Sequence, residues 1–441
     1  MNQGAPDKLL ARRTLRGAAV AIALTASMTA QAQLEYGVEV GVGHSDNVYR
    51  RSVDVVESTI ATAGLNVDWR ETRRRFDADV VADLTYNHYL EGGIDDHLMG
   101  NANALLSFGL IPERLTWTLE DTFGQTQQDP LLPATPESLE FLNVLSTGPN
   151  LMFRLGGAAL LQLNGRYTLT EYEDSPFDST RTGGGIALIR ELSARSQLSL
   201  NANHQVIDYK DPGNLDFTMR SVYARYALEA ARTEISSELG YSWVERDLAG
   251  SEELSEPLIR IEVRRNVSPS SYLNLRVASQ LSDAAEAARG AAQVIDVGGE
   301  PGVGVATAST FENKAATLAW ELQRPRTSLN ISANWEKDEY SDSSELDRER
   351  MMYGASLTRH LTNRLRVRGG VYLSSEEYAL DGSESDETRF LLGAAWQFGR
   401  SVGLDFSAEH LDRESNVFSG GGDSVENRYF LTVYYRPEAT R

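Results

Sequence analysis

The sequence predicts an all-β protein, an antiparallel transmembrane up-and-down β-barrel of about 20 strands, within a range of roughly 18 to 22. Two patterns along the chain and one feature of its start carry this prediction. Apolar and polar side chains alternate with a period of two, which is typical of strands with one apolar face. Short turns alternate with longer polar stretches, as they do in outer-membrane barrels. The chain also begins with an export signal.

Residues 1–32 predict a signal peptide that is cleaved before Gln33. A basic start precedes the apolar run GAAVAIALTASMTA, and Ala30–Ala32 has the small-x-small pattern of a cleavage site. The basic residues are Lys8, Arg12, Arg13 and Arg16. The apolar run is shorter than the ~20 residues of a spanning helix, so we expect Sec-type export rather than a retained anchor or a twin-arginine route. We expect residues 33–441 to form a single barrel in the outer membrane of a Gram-negative cell, with no plug domain before the first strand.

Charge and cysteine content narrow the possible partners and chemistry. With 42 Lys and Arg against 63 Asp and Glu, the formal net charge is −21, which argues against nucleic acid as a partner. The chain has no cysteine, so neither disulfides nor thiol chemistry contributes to its fold or function. We therefore expect backbone pairing and burial to hold the fold together.

The clearest alternation runs from Phe76 to Tyr86, where even-numbered positions are apolar and odd-numbered positions are mostly polar. The same pattern recurs at 161–169, 329–335 and 365–373. In a membrane barrel the apolar set faces lipid and the polar set faces the lumen. A soluble sandwich or propeller is the competing architecture, but it would bury its apolar faces in one compact core. Here every hairpin carries its own apolar stripe, and closure into a barrel removes edges that would aggregate.

Connections between the predicted strands alternate between short and long. Nine short links are predicted near residues 71–74, 111–114, 156–157, 193–196, 230–232, 268–271, 324–327, 361–363 and 399–401. The longer stretches are rich in Gly, Ser, Asp and Pro and predict loops, among them EGGIDD, EDSPFDST, YSDSSELD, ALDGSESDE and RESNVFSGGGDS. The Ala- and Gly-rich long loop 283–309 either folds inward as a constriction or extends outward as a disordered loop.

Aromatic residues are placed as a membrane barrel requires. Four tryptophans fall near the short turns, where a girdle at the periplasmic interface is expected. They are Trp69, Trp117, Trp320 and Trp396. The last strand, 428–436, reads RYFLTVYYR and resembles the aromatic C-terminal signal of the barrel-assembly machinery, except that residues 437–441 follow it. The expected partners are therefore that machinery, outer-membrane lipid and lipopolysaccharide.

The first strand and turn, residues 36–51, read YGVEVGVGHSDNVYRR. A Gly- and Val-rich strand followed by the turn Ser45-Asp46-Asn47 resembles the opening of the outer-membrane β-barrel porin families found beside exopolysaccharide loci, including the barrel of the PEP-CTERM system. Beyond this segment only the strand pattern is shared. The resemblance implies export or passage of an exopolysaccharide, with that polysaccharide and periplasmic export proteins as partners.

Catalytic, cofactor and metal-binding motifs are poorly represented in the chain. Its six histidines are scattered, and no H-x-x-E-H, H-E-x-x-H or G-x-S-x-G spacing occurs. His88, close to Asp95, Asp96 and His97, is the best candidate for a catalytic group, since some barrel proteases place acidic residues and a histidine at the outer rim. The acidic loops lack the D-x-D-x-D-G spacing of a calcium loop. We expect no enzymatic activity, no cofactor and no metal site.

Charged side chains on the predicted lumen face are the candidate pore-lining residues. They are Asp77, Asp79, Asp83, Arg260, Arg264, Arg276, Arg364, Arg366 and Arg368. Such ladders set the selectivity of a pore, and the basic ones would favour anionic sugars. Alternatively, arginines and carboxylates pair across strands and stiffen the wall. Three functions remain open: an exopolysaccharide-associated channel, a non-conducting structural or adhesive barrel, and a barrel enzyme.

Overall fold

The computed structural model describes residues 33–247, 253–291, 304–379, 382–416 and 422–437. The predicted signal peptide, residues 1–32, lies outside the described residues. The described chain forms one closed antiparallel barrel of twenty long strands, so the predicted fold class is confirmed. Each long strand pairs with the next and the first pairs with the last, so the sheet has no end strand.

The first ten strands are β1 (Gln33–Ser45), β2 (Ser58–Arg73), β3 (Phe76–Tyr89), β4 (His97–Ile111), β5 (Leu115–Gln127), β6 (Leu139–Arg154), β7 (Ala159–Tyr172), β8 (Ser179–Ser193), β9 (Ser196–Tyr209) and β10 (Phe217–Glu229). The next three are β11 (Thr233–Arg246), β12 (Leu254–Ser268) and β13 (Ser271–Ser282). A helix, α1 (Ala284–Ala291), and a two-residue strand, β14 (Gly304–Val305), follow.

The last seven strands are β15 (Phe311–Arg324), β16 (Thr327–Tyr340), β17 (Arg348–His360), β18 (Leu365–Tyr378), β19 (Ser383–Gln397), β20 (Val402–Ser415) and β21 (Ser424–Tyr435). A short 3₁₀ turn, Ser344–Leu346, precedes β17. Among the described residues, no helix is long and apolar enough to cross a membrane.

Strand register places the apolar side chains on the outside of the barrel. Val40, Leu200 and Leu392 face outward and are 62%, 59% and 66% exposed, because no other part of the described chain covers them. The buried apolar clusters are small and local rather than one compact core. A continuous belt of this kind is stable in lipid and not in water. The protein is therefore a barrel of the outer-membrane type.

The two ends of the barrel differ in the length of their connections. At one end, here called the turn end, nine links of two to four residues join consecutive strands, and all nine lie where the sequence predicts short turns. At the other end, the loop end, the connections are mostly longer. In outer-membrane barrels short turns face the periplasm and long loops face outward.

The twenty long strands have 12 to 16 residues each, which exceeds the ~9 to 11 residues that cross a bilayer. The strand residues beyond this number lengthen the wall at the loop end. The stretch ALDGSESDE was expected to be a loop, and this expectation is wrong for most of its length. Strand β19 already begins at Ser383, directly after Gly382, whose φ of 65° is a turn conformation that glycine favours. Leu380 and Asp381 of this stretch lie outside the described residues.

Three of the tryptophans expected in the girdle, Trp117, Trp320 and Trp396, lie on the outward face close to a short turn. Trp69 lies on the same face, where it is buried against Ala78 and Leu106 of the two following strands. The four side chains thus occupy the level at which a bilayer interface is expected.

Candidate functional site

The lumen is the only enclosed space that a barrel of this size offers for function, since about 16 to 22 strands enclose a channel or a plugged lumen. Its turn-end half is lined by solvent-exposed polar side chains. Arg70 and Asp79, on neighbouring strands β2 and β3, are 60% and 59% exposed, with 3.7 Å between Nε and Oδ1. This half forms a water-accessible vestibule.

Strand register places eight of the nine candidate pore-lining residues on the lumen face of the wall. They are Asp77, Asp79, Asp83, Arg260, Arg264, Arg276, Arg366 and Arg368. The remaining candidate, Arg364, lies one residue before the start of β18. Arg364 lies in the turn before β18, where its N–H donates to the Thr362 hydroxyl at 3.1 Å and Leu361 N–H donates to the Leu365 carbonyl at 2.9 Å. The Arg364 carbonyl also accepts from Gln397 N–H of β19 at 2.8 Å, and its place in the pore lining stays a prediction.

Three of these arginines pair with carboxylates of adjacent or nearby strands. Arg260 lies 3.0 Å from Glu238, and Arg276 lies 3.4 Å from Glu262.

Arg368 makes a two-pronged contact with Asp405, at 2.8 and 2.9 Å. Arg264 instead covers the ring of Tyr272, with its guanidinium carbon 4.6 Å from the ring centroid. The interpretation of cross-strand pairing therefore describes Arg260, Arg276 and Arg368, and the wall is less basic than its arginine ladders suggest.

The loop-end half of the lumen is closed by three connections that fold inward. We name them loop A (residues 46–57), loop B (128–138) and loop C (283–310, described at 283–291 and 304–310). Each reaches side chains on strands far from its own position in the sequence.

Loop A carries Arg50 into the wall beside the last strand. Arg50 has a left-handed backbone, with φ of 50°, and its Nε donates to Glu426 at 3.0 Å. Both side chains are 3% exposed. Glu426 also accepts a hydrogen bond from Ser45 at 2.6 Å, while the Asn47 amide donates to the Val425 carbonyl at 3.0 Å. The Ser-Asp-Asn turn of the first hairpin thus holds loop A against β21.

Loop B crosses the lumen to the opposite wall. The Tyr378 hydroxyl of β18 donates to the Pro130 carbonyl at 2.6 Å, although the two residues are 248 positions apart in the chain. Arg51 of loop A reaches Glu137 of loop B at 2.7 Å. Loops A and B are therefore joined to each other and to opposite sides of the barrel.

Loop C enters the lumen through helix α1. Asp283, which precedes the helix, pairs with Arg181 of β8, and both side chains are buried. Arg289 of the helix lies 2.7 Å from Glu120 of β5, and Ala285 packs against Leu142 of β6.

The later part of loop C continues along the inner side of the wall. Strand β14 adds to the edge of β5 in parallel, with Gly304 opposite Thr126. The Tyr209 hydroxyl of β9 donates to the Ala308 carbonyl at 3.1 Å. The inward alternative for loop 283–309 is therefore confirmed for the described residues, and the extended outer loop is wrong for them.

Buried ion pairs continue along the wall at the same level. Arg348 and Asp338, at the loop end of β17 and β16, are 6% and 3% exposed, with 3.2 Å between Nε and Oδ2. Glu376 of β18 lies 3.9 Å from Arg348 and also pairs with Arg350. The loop-end half thus differs from the vestibule in carrying charge pairs that are shielded from water.

The histidine cluster proposed from the sequence is divided by the barrel wall. His88 Nδ1 lies 2.6 Å from Asp96, and the Tyr86 hydroxyl donates to the same carboxylate at 2.5 Å. These hydrogen bonds, that of Tyr86 first, lower the pKa of Asp96 below its ordinary value. His97 faces the other side, stacked on Phe141 and 3.0 Å from Gln125. Among the described residues, no group of three or more His, Asp or Glu side chains is placed to hold a metal ion.

Sequence reasoning missed the residues that close the lumen, among them Arg50, Glu426, Arg181 and Asp283. Charged residues on strands and in loops predict exposure to water, and these four are buried. The only local signal was the Ser-Asp-Asn turn, which the resemblance singled out without indicating its contacts. Their partners lie between 102 and 376 positions away in the chain, so no local pattern could pair them.

No protein-family model matches the chain, and no curated protein matches it by sequence. It is similar to the structure of the FrpB iron transporter from Neisseria meningitidis, with a TM-score of 0.45 and 11% identity over 91% of this chain and 82% of that one. A mutant of the ferric enterobactin receptor PfeA and the siderophore receptor PirA, both from Pseudomonas aeruginosa, have TM-scores of 0.44 and 0.42. Their identities are 9% and 10%, over 93% of this chain and 81% of each of those. Similarity at this level carries nothing about what this chain binds.

Proposed function

We propose that the protein is a gated outer-membrane channel that takes part in the export or passage of an exopolysaccharide. The observation that carries the proposal is the contrast within its lumen: a water-accessible vestibule at the turn end and a closure at the loop end made of three inward loops. Short turns face the periplasm in outer-membrane barrels, so the vestibule would receive material from the periplasm. Periplasmic export proteins would deliver it there.

The chemistry of the closure supports a gate rather than a permanent seal. Ion pairs and hydrogen bonds attach loops A and B to the wall, such as those of Arg50 with Glu426 and of Tyr378 with Pro130. Loop A also packs Val48 in a small apolar cluster with Ile60. Replacing a buried ion pair by packed apolar residues is often neutral or stabilising, so a permanent seal has no need of such pairs. Water can satisfy these groups when the loops move, whereas an apolar seal would lose about 25 cal/mol for each Å² that it exposes.

The class of cargo is supported by the first hairpin. Its Ser45-Asp46-Asn47 turn resembles the opening of barrel families found beside exopolysaccharide loci, and the same turn positions Arg50 of the closure. The segment that carries the resemblance is therefore also the segment that seats one of the gating loops. A polysaccharide is polar because of its hydroxyl groups, which suits passage through a hydrated lumen.

Planar-bilayer recording tests the channel. The wild-type barrel should conduct weakly, and replacing residues 284–308 by a short Gly-Ser linker should raise the single-channel conductance severalfold, because loop C is removed from the lumen. Deleting the gene should abolish secretion of the polysaccharide, and the wild-type gene should restore it. Equal, negligible conductance of both barrels together with normal secretion in the deletion strain would overturn the proposal.

A non-conducting structural barrel is the second proposal, and one observation favours it. Loops A and B are linked to each other through Arg51 and Glu137 as well as to opposite walls, so they brace the barrel across its width. In this case removing loop C should lower the stability of the barrel without raising its conductance. The same recordings therefore separate the two functions.

A further inference from the structure

A recess lies on the lumen face of β8, where the sequence runs Gly183-Gly184-Gly185. Register with β7 and β9 places Gly183 and Gly185 toward the lumen and Gly184 outward. A Cβ atom at Gly185 would lie 2.3 Å from the Asn203 side-chain oxygen and 3.0 Å from the Asn164 amide nitrogen. The side chains of Asn203 and Asn164 therefore fill the recess that the missing side chain of Gly185 leaves. These two amides, here called the rim amides, cover the backbone and face the lumen.

The wall on both sides of this recess is rich in uncharged hydrogen-bonding groups. Register places these side chains of β4, β5, β7, β9 and β10 on the lumen face: Asn101, Asn103, Thr116, Thr118, Gln162, Asn164, Asn201, Asn203, Gln205, Ser221 and Tyr223. Amides and hydroxyls both donate and accept hydrogen bonds. This surface can therefore match groups that do the same.

Charged groups next to the recess are already engaged. Arg181 pairs with Asp283 and donates to Gln205 at 2.8 Å, and Arg166 donates to Asn150 at 2.7 Å. Elsewhere in the lumen Arg368 is held by Asp405. A polyanion would therefore find Arg181 and Arg368 already paired with carboxylates, and it would also meet a chain of net charge −21.

We infer that the lumen face of β7 to β10 is a binding track for an uncharged sugar chain. The inference rests on the proposed function and deepens it by naming the class of cargo. Sugar hydroxyls donate and accept hydrogen bonds as the amides of Asn164 and Asn203 do, and glycine at 185 leaves room for these two amides against the wall. The track ends at α1, where Asp283 meets Arg181, so it leads from the vestibule to the closure.

Binding to the purified full-length barrel in detergent tests the track. Isothermal titration calorimetry would compare cellohexaose, a neutral hexasaccharide, with the anionic hexamer of galacturonic acid. We expect the neutral probe to bind at least tenfold more tightly. The double substitution Asn164→Ala with Asn203→Ala should weaken its binding roughly tenfold or more, since two hydrogen-bonding groups are lost.

The matched control is Asn330→Ala with Asn334→Ala, which removes two lumen-facing amides of β16, outside the track. It should leave the affinity unchanged. Heat-modifiable migration on a gel checks that each barrel is folded, and Gly185→Ala, which displaces both rim amides, replaces the double variant if that one does not fold. No binding of cellohexaose, equal or tighter binding of the anionic hexamer, or equal losses in variant and control would each overturn the inference.

These outcomes are distinguishable from failure of the proposed function. If secretion persists in the deletion strain but cellohexaose binds, and its binding depends on Asn164 and Asn203, the binding track is supported and the role in export is overturned. If secretion is lost but only the anionic hexamer binds, the role in export is supported and the binding track is overturned.

Discussion

The two halves of the lumen use the same chemical pair in different surroundings. At the turn end Arg70 and Asp79 face each other in water, whereas at the loop end Arg348 and Asp338 face each other in a wall shielded from it. Exposed pairs typically contribute about 0 to 1 kcal/mol, while breaking a buried pair by removing one partner costs about 3 to 5 kcal/mol. Position rather than composition therefore determines which charges hold the barrel together.

The largest expected effect comes from breaking the buried pair. Arg348→Met should lower the free energy of unfolding by about 3 to 5 kcal/mol, because Asp338 would keep its charge without its cation. Urea denaturation in detergent, followed by tryptophan fluorescence, measures the change. A loss no greater than that of Arg70→Met would show that the two halves do not differ in this way.

The next largest effect on stability is expected when arginine is placed on the lipid face rather than on the lumen face. Ile331 faces outward and is 46% exposed, while its neighbour Asn330 faces the lumen. Ile331→Arg should cost about 2 to 4 kcal/mol near the bilayer midplane, and Asn330→Arg should be tolerated. Folding into lipid vesicles, followed by gel migration, measures both, and similar losses for the two would contradict the assignment of faces.

A smaller effect is expected on ion selectivity in the vestibule. Arg368→Gln should shift the loop-C-deleted channel toward cations, because Asp405 would no longer be neutralised. The reversal potential across a salt gradient measures the shift. Exchanging the pair, Arg368→Asp with Asp405→Arg, should restore the original selectivity, and failure to do so would show that the pair does not set it.

The smallest effect is expected at the exposed pair. Arg70→Met should change the unfolding free energy by about 1 kcal/mol or less, and the difference should shrink further in 1 M salt, where the screening length is about 3 Å. Parallel urea titrations at low and high salt measure this. A large loss that salt does not reduce would place this pair in the same class as Arg348 and Asp338.

The strands and turns could be predicted from the sequence because their signal is local. A period of two and a short turn are visible within about ten residues, and all nine short links were found in this way. The stretch at 379–387 was assigned to a loop because polar composition does not distinguish a loop from a strand that rises above the bilayer into water. The boundary of β18 lies one residue later than the alternation suggests, so Arg364 falls just outside the strand.

The closure of the lumen could not be predicted in the same way. Its contacts join residues such as Pro130 and Tyr378 across the whole width of the barrel, and they depend on the closed shape rather than on neighbouring residues. The alternation did identify which side chains face the lumen. It could not reveal that Arg260, Arg276 and Arg368 would meet carboxylates there, since this depends on the pairing register.

The contacts of Arg50 have a consequence for the order of assembly. Arg50 comes from the first connection of the barrel, and its partner Glu426 belongs to the last strand to be made. Loop A can therefore reach its contact with Glu426 only after β1 and β21 have paired. A half-inserted barrel lacks the Arg50–Glu426 pair, so the docking of loop A follows completion of the wall during biogenesis.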